Sequence, residues 1–81
     1  MEDKEKQNQI DFGKRIQELR KERKWSQEEL ASRANCHRTY IGLIERAERE
    51  PGLNKIIYLA TAFEITIAEL FNYENNKELT K

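Results

Sequence analysis

The stretch Trp25-Ser26-Gln27-Glu28-Glu29-Leu30-Ala31-Ser32-Arg33-Ala34-Asn35-Cys36-His37-Arg38-Thr39-Tyr40-Ile41-Gly42-Leu43-Ile44-Glu45-Arg46 decides the fold. Its opening, Ser26-Gln27-Glu28-Glu29, predicts a capping box. The Ser26 hydroxyl accepts from the amide of Glu29, and the Glu29 carboxylate reaches back to the backbone of Ser26. A helix is expected from Gln27 to about Ala34, with Leu30, Ala31 and Ala34 inward. Ala31 is small and lets a crossing helix come close. Asn35-Cys36-His37 interrupts the helix, since Asn tolerates the left-handed backbone of a tight turn. The next helix is expected from Arg38 to about Arg46. Ile41 and Ile44 face inward there, and Arg38, Thr39, Gly42, Leu43 and Arg46 face outward.

Outward from this pair the chain stays helical. Ile10, Phe12, Ile16 and Leu19 recur at helical spacing and predict a first helix ending near Lys24. Met1 to Gln9 alternates charge and amide without an apolar anchor and reads as a flexible arm, residues 1–9. Glu50-Pro51-Gly52 is a break, because proline neither continues a helix nor favours helical backbone before it. A fourth helix follows from about Leu53 to Phe63, its apolar residues being Leu53, Ile56, Ile57, Leu59, Ala60 and Phe63. Thr66-Ile67-Ala68-Glu69 is a second capping box, opening a short fifth helix through Leu70 and Phe71. Beyond Asn72 the chain is polar, with Tyr73 as an anchor. The expected organisation is an all-α, compact five-helix bundle over residues 10–73 and a polar tail over 74–81.

Composition narrows the function classes. In 81 residues, 37% are hydrophobic and 37% charged, a polar balance for one small domain. No apolar run is long enough for a membrane span, and the start does not look like a signal peptide. The single cysteine, Cys36, rules out an internal disulfide and fits a reducing cytoplasm. With one histidine, His37, it cannot make a structural zinc site, so no metal and no cofactor are expected. No nucleophile–base pair, phosphate loop or paired-carboxylate cleft stands out, and an enzyme is not expected. The net charge is zero, but residues 10–49 carry ten basic and seven acidic side chains while the flanks carry five and eight. That modest polarity permits a polyanionic partner without demanding one.

Two helices joined by a short turn, the second exposing Arg38 and Thr39, have the layout of a DNA-reading pair. The run Trp25 to Ala31, then Ala34 to Ile41, then Ile44-Glu45-Arg46 and Pro51, resembles the Cro/C1-type (XRE) helix-turn-helix family. The segment Leu53 to Phe71 is similar to that family's fourth and fifth helices. Within the family, Arg38-Thr39-Tyr40-Ile41 followed by Ile44-Glu45-Arg46 looks most like the controller proteins of restriction–modification systems. The resemblance implies a lambda-repressor-like domain and a sequence-specific regulator of transcription. The chain departs from the family at three turn positions where glycine is usual, here Lys24, Asn35 and Ala47. A side chain in the left-handed region costs about 1 kcal/mol there, and less for Asn.

For the site, Arg38 is placed to bond guanine O6 and N7 together. Thr39 is placed to touch a thymine methyl or a phosphate. Leu43 either meets a thymine methyl or is a peripheral core residue, and Tyr40 either donates to a phosphate or packs under the helix. The resemblance implies that Gln27 bonds a phosphate and braces the reading helix, and that Glu45 makes an internal bond to backbone or an arginine. Arg46 and Arg49 are candidate backbone contacts, while Arg23 and Lys24 add diffuse attraction. Trp25 is expected as a plug between the first two helices. Glu28 and Glu29 lie where activators of the family touch the sigma subunit of RNA polymerase, or serve only as helix-start acids. One short helix reads too few base pairs alone, so a homodimer is expected on a double-stranded operator, with Tyr58, Ile65, Phe71 and Tyr73 at its interface. An antitoxin-type protein and a protein-interaction module are the rivals that use the same fold.

Overall fold

Residues 3–73 are described in a computed structural model, and all regular structure among them is helical. The elements are α1 (Asp3–Glu22), α2 (Gln27–Arg33), α3 (Arg38–Glu45), α4 (Leu53–Phe63) and α5 (Ile67–Leu70). The tail over 74–81 and the first two residues lie outside the described residues.

The core is the set of apolar positions that the helical spacing puts on one side of each element. Ile16, Leu30, Ile41, Ile44, Leu59 and Leu70 are fully buried, one or more from every helix. Phe12 and Leu19 of α1 and Phe63 of α4 close the same cluster. α1 and α2 both pack on α3, while α4 leans on α2 and carries α5. The closest approach is at Gly13, where a Cβ would come 2.5 Å from the Ile44 carbonyl oxygen. Only a residue without a side chain lets the backbones of α1 and α3 meet there.

The start of the chain corrects the expectation of an arm. α1 begins at Asp3, not near Ile10. Asp3 and Glu5 complement the positive end of the helix, and the Lys6 ammonium donates to the Ala47 carbonyl across the bundle. Polar anchoring replaces the apolar anchor whose lack suggested an arm.

One device ends the first four helices. Lys24, Asn35, Ala47 and Glu64 all have left-handed backbone, with φ of 59°, 54°, 60° and 58°. After each of them the next amide bonds a carbonyl five residues back. These bonds are Trp25 to Arg20 (3.2 Å), Cys36 to Ala31 (3.0 Å), Glu48 to Leu43 (2.8 Å) and Ile65 to Ala60 (3.0 Å). This is the hydrogen bond of the Schellman motif, whose left-handed position usually holds glycine. The three glycines of the chain all lie elsewhere, at negative φ. The three positions singled out in the sequence are therefore left-handed, and Glu64 is a fourth.

The two expected capping boxes differ. Thr66 and Glu69 form both halves, Glu69 N to Thr66 Oγ1 at 3.0 Å and Thr66 N to Glu69 Oε1 at 3.0 Å. Donation to Glu69 Oε1 from the Thr66 amide, and from its hydroxyl at 3.1 Å, holds the Glu69 carboxyl below its ordinary range. At Ser26 only the forward half exists, Glu29 N to Ser26 Oγ at 2.9 Å. The Glu29 carboxylate turns instead to Arg33 Nε at 2.8 Å, one helical turn on.

Candidate nucleic-acid interface

α2 and α3 meet across Ala34 to His37, and a polar network fixes the angle between them. Arg20 of α1 grips Glu45 at the end of α3 through one edge of its guanidinium, Nε to Oε2 at 2.7 Å and Nη2 to Oε1 at 3.1 Å. Its third nitrogen donates to the Trp25 carbonyl at 2.9 Å. Gln27, at the first position of α2, donates from Nε2 to the same Glu45 Oε1 at 3.0 Å. The side chain of Glu45 is 2% exposed, so a charge so far out of water needs all three donors. One carboxylate thus ties three helices together. The internal bond expected for Glu45 is present, and its partner is Arg20.

Arg38 and Thr39 occupy the first turn of α3 and are exposed. His37 caps that turn, its Nδ1 accepting from Thr39 N at 3.1 Å. Leu43 is half-buried one turn later. Gly42, expected outward, is buried, because the Arg46 guanidinium folds back over it and would lie 2.9 Å from a Cβ. Arg46 also faces Glu48 at 3.3 Å, with both side chains exposed.

Tyr40 is half-buried against the core. Arg49 and Lys55 stand over its ring, with charged centres 5.5 Å and 5.8 Å from its centroid. Burial pushes the phenol above its ordinary pKa, against the pull of the Gly52 amide and Arg49. It stays a protonated donor at neutral pH. Lys55 also donates to the Asn35 carbonyl at 3.1 Å. α4 opens beside this group at Gly52, without a side-chain cap. Arg49, Lys55 and the start of α4 therefore form a cationic rim next to α3. Lys55 was missed in the sequence because it belongs to a helix remote from the reading pair.

Two other aromatic and basic residues have structural posts. Trp25 stacks on Phe63 of α4, with centroids 5.8 Å apart and planes 7° from parallel, and Arg33 covers its other face at 4.3 Å. It plugs the α1–α2 turn against α4, not simply the first two helices against each other. Arg23 donates to the Leu19 and Phe63 carbonyls, each at 2.9 Å. These two bonds make it a brace between α1 and α4. Glu28 and Glu29 are exposed on α2, and both face arginines: Arg38 lies 3.9 Å from Glu28, and Arg33 bonds Glu29.

The exposed large side chains of α4 and α5 are apolar. Leu53 is 71% exposed, and Ile57, Tyr58 and Ile67 are exposed as well. Leu53 and Ile57 stand one turn apart on α4. Of the residues expected at a dimer interface, Tyr58 belongs to this patch. Ile65 and Phe71 pack against the protein's own core. Phe71 stacks on Phe12 at 5.2 Å, and Tyr73 leans on Phe71 at 6.5 Å. Arg15 secures α5 by donating to the Glu69 carbonyl at 2.7 Å and the Leu70 carbonyl at 3.3 Å.

Comparison with known proteins places this geometry. The chain is 42% identical over 52 residues to control protein C.SmaI of Serratia marcescens, covering 64% of this chain and 62% of that protein. It is 39% identical over 62 residues to the immunity repressor protein of Bacillus phage phi105, covering 76% of this chain and 43% of the repressor. The match thus spans less than two thirds of either relative. The crystal structure of the restriction–modification controller protein C.AhdI from Aeromonas hydrophila superposes with a TM-score of 0.77 at 42% identity, over 79% of this chain and 97% of that one. The helix-turn-helix family profile matches residues 16–70, from the middle of α1 through α5. The chain belongs to the helix-turn-helix family, of the XRE type.

Proposed function

We propose that this chain is a cytoplasmic, homodimeric regulator that binds an operator in double-stranded DNA and acts as a restriction–modification controller of its own operon. The observation that carries the reading is the α2–α3 pair itself. Arg38 and Thr39 project from the open end of α3, whose other end is locked by Arg20, Gln27 and Glu45. A rigid helix with exposed polar side chains at its first turn is what base-edge readout needs. Arg38 reads a guanine edge, and Thr39 and Leu43 sit beside it for a thymine methyl. Gln27, Tyr40, Arg46, Arg49 and Lys55 set the register on phosphates. The second amide hydrogen of Gln27 remains to donate to a phosphate once Nε2 has bonded Glu45.

A second copy of the chain is the partner for the apolar patch. One α3 reads a few base pairs, and a two-fold pair of them doubles the site. Leu53, Ile57, Tyr58 and Ile67 give the hydrophobic centre that a symmetric interface requires. The likeness to C.SmaI and C.AhdI supports the controller part of the reading.

The test is Arg38→Ala against a duplex selected by the wild-type protein from a random pool. Binding should weaken by about 1–3 kcal/mol, with preference relaxed at one base position in each half-site. Unchanged base preference would remove Arg38 from the readout.

A further inference from the structure

Glu28 and Arg38 face each other across a notch between α2 and α3, lined also by Ala31, Ser32, Cys36 and His37. Glu28 Oε2 lies 3.9 Å from Arg38 Nη1, and both side chains are largely exposed. The separation exceeds hydrogen-bond length, so the carboxylate attracts the guanidinium without clamping it. We infer that Glu28 is a specificity-determining residue that acts through Arg38, favouring its contact with a base edge over contact with a phosphate. This rests on the reading of Arg38 given above.

The reason lies in the shape of the guanidinium. It carries five donors in a planar fork. With Nη1 towards Glu28, the edge made by Nη2 and Nε is free for the two neutral acceptors of guanine, O6 and N7. The base contact and the Glu28 attraction can coexist. A phosphate is different, since it competes with Glu28 for the same charge and brings two anions together in the notch. Phosphates are present in every sequence and register, so an unguarded arginine strengthens non-specific binding. Glu28 lowers the gain from that alternative and leaves the guanine contact intact. It is a positioning residue and touches no base itself.

The experiment is a double-mutant cycle with Glu28→Gln and Arg38→Ala. Each variant is titrated on the duplex selected by wild type and on a scrambled duplex of equal length, at two salt concentrations. Glutamine keeps the shape of the side chain and remains compatible with the first turn of α2. In the Arg38 background, Glu28→Gln should tighten the scrambled duplex more than the selected one. The specific-to-non-specific ratio should fall about two- to fivefold, the range spanned by an exposed ion pair. In the Arg38→Ala background that ratio should not respond to Glu28→Gln. Equal tightening on both duplexes, or the same fall in ratio without Arg38, would overturn the inference and reduce Glu28 to plain repulsion of DNA. If Arg38→Ala alone leaves base preference intact, the readout assignment fails first and the role of Glu28 fails with it.

Discussion

The α1–α3 and α4–α5 parts of this molecule are held together by different chemistry. Around α1, α2 and α3 a nearly inaccessible carboxylate collects three donors from two other helices, and the exposed side chains of the α3 first turn are polar. Around α4 and α5 the large exposed side chains are apolar, among them all four exposed large hydrophobics of the described residues. α5 is fixed by a ring stack and by Arg15 on two carbonyls. The polar part is rigid and finished, as a reader of a charged surface has to be. The α4–α5 part leaves Leu53 and Ile57 in water, where the proposed second copy would cover them.

The largest effect is expected from breaking the rigid part. Glu45→Ala leaves the Arg20 guanidinium, itself little exposed, without its carboxylate. Stability should drop by about 3–5 kcal/mol, the cost of orphaning one partner of a buried pair. Replacing Arg20 and Glu45 together with apolar residues should cost less, because no charge is then stranded. Chemical denaturation of the single and double variants measures the difference. A single variant as stable as wild type would mean the network does not hold the pair of helices.

The apolar part should respond in assembly and not in folding. Ile57→Glu places a charge on an exposed position, so the monomer should keep its fold by circular dichroism. The dimer dissociation constant should rise tenfold or more, about 1.4 kcal/mol. Sedimentation equilibrium checks this. Dimerisation equal to wild type would move the interface off α4.

The smallest effect tests a feature common to both parts. Lys24 and Glu64 are exposed, and each closes a helix in left-handed backbone. Lys24→Gly or Glu64→Gly should each raise stability by about 0.5–1 kcal/mol, relief of the Cβ strain less the added freedom of the unfolded chain. Thermal denaturation reads the gain, and a loss at either site would show that its side chain contributes more than it strains.

Much of this was legible in the residues, and the exceptions have physical causes. The apolar spacing of Phe12, Ile16 and Leu19, the break at Glu50-Pro51-Gly52 and the box at Thr66 to Glu69 locate helices because they act locally. The start of α1 was hidden because its anchor, Lys6 on the Ala47 carbonyl, joins residues far apart in sequence. The half-made box at Ser26 reflects competition, Arg33 taking the carboxylate that Ser26 would have used. Gly13 looks unremarkable in a helical run, and only the crossing of α1 and α3 gives it a reason. For the site, Arg38 and Thr39 were readable from their place after the turn. Lys55 depends on how a distant helix meets the reading pair, and the Glu28–Arg38 pairing on the angle at which α2 and α3 cross.

In the proposed regulator one rigid reading helix per chain is doubled by a dimer built on the exposed apolar side chains of α4 and α5. Selection of bound duplexes from a random pool, followed by alignment of the selected sequences, tests it most directly. Two half-sites related by two-fold symmetry are expected, with centres about one helical turn, roughly 34 Å, apart or a multiple of it. Enrichment of a single asymmetric site, or no enrichment over the starting pool, would contradict it.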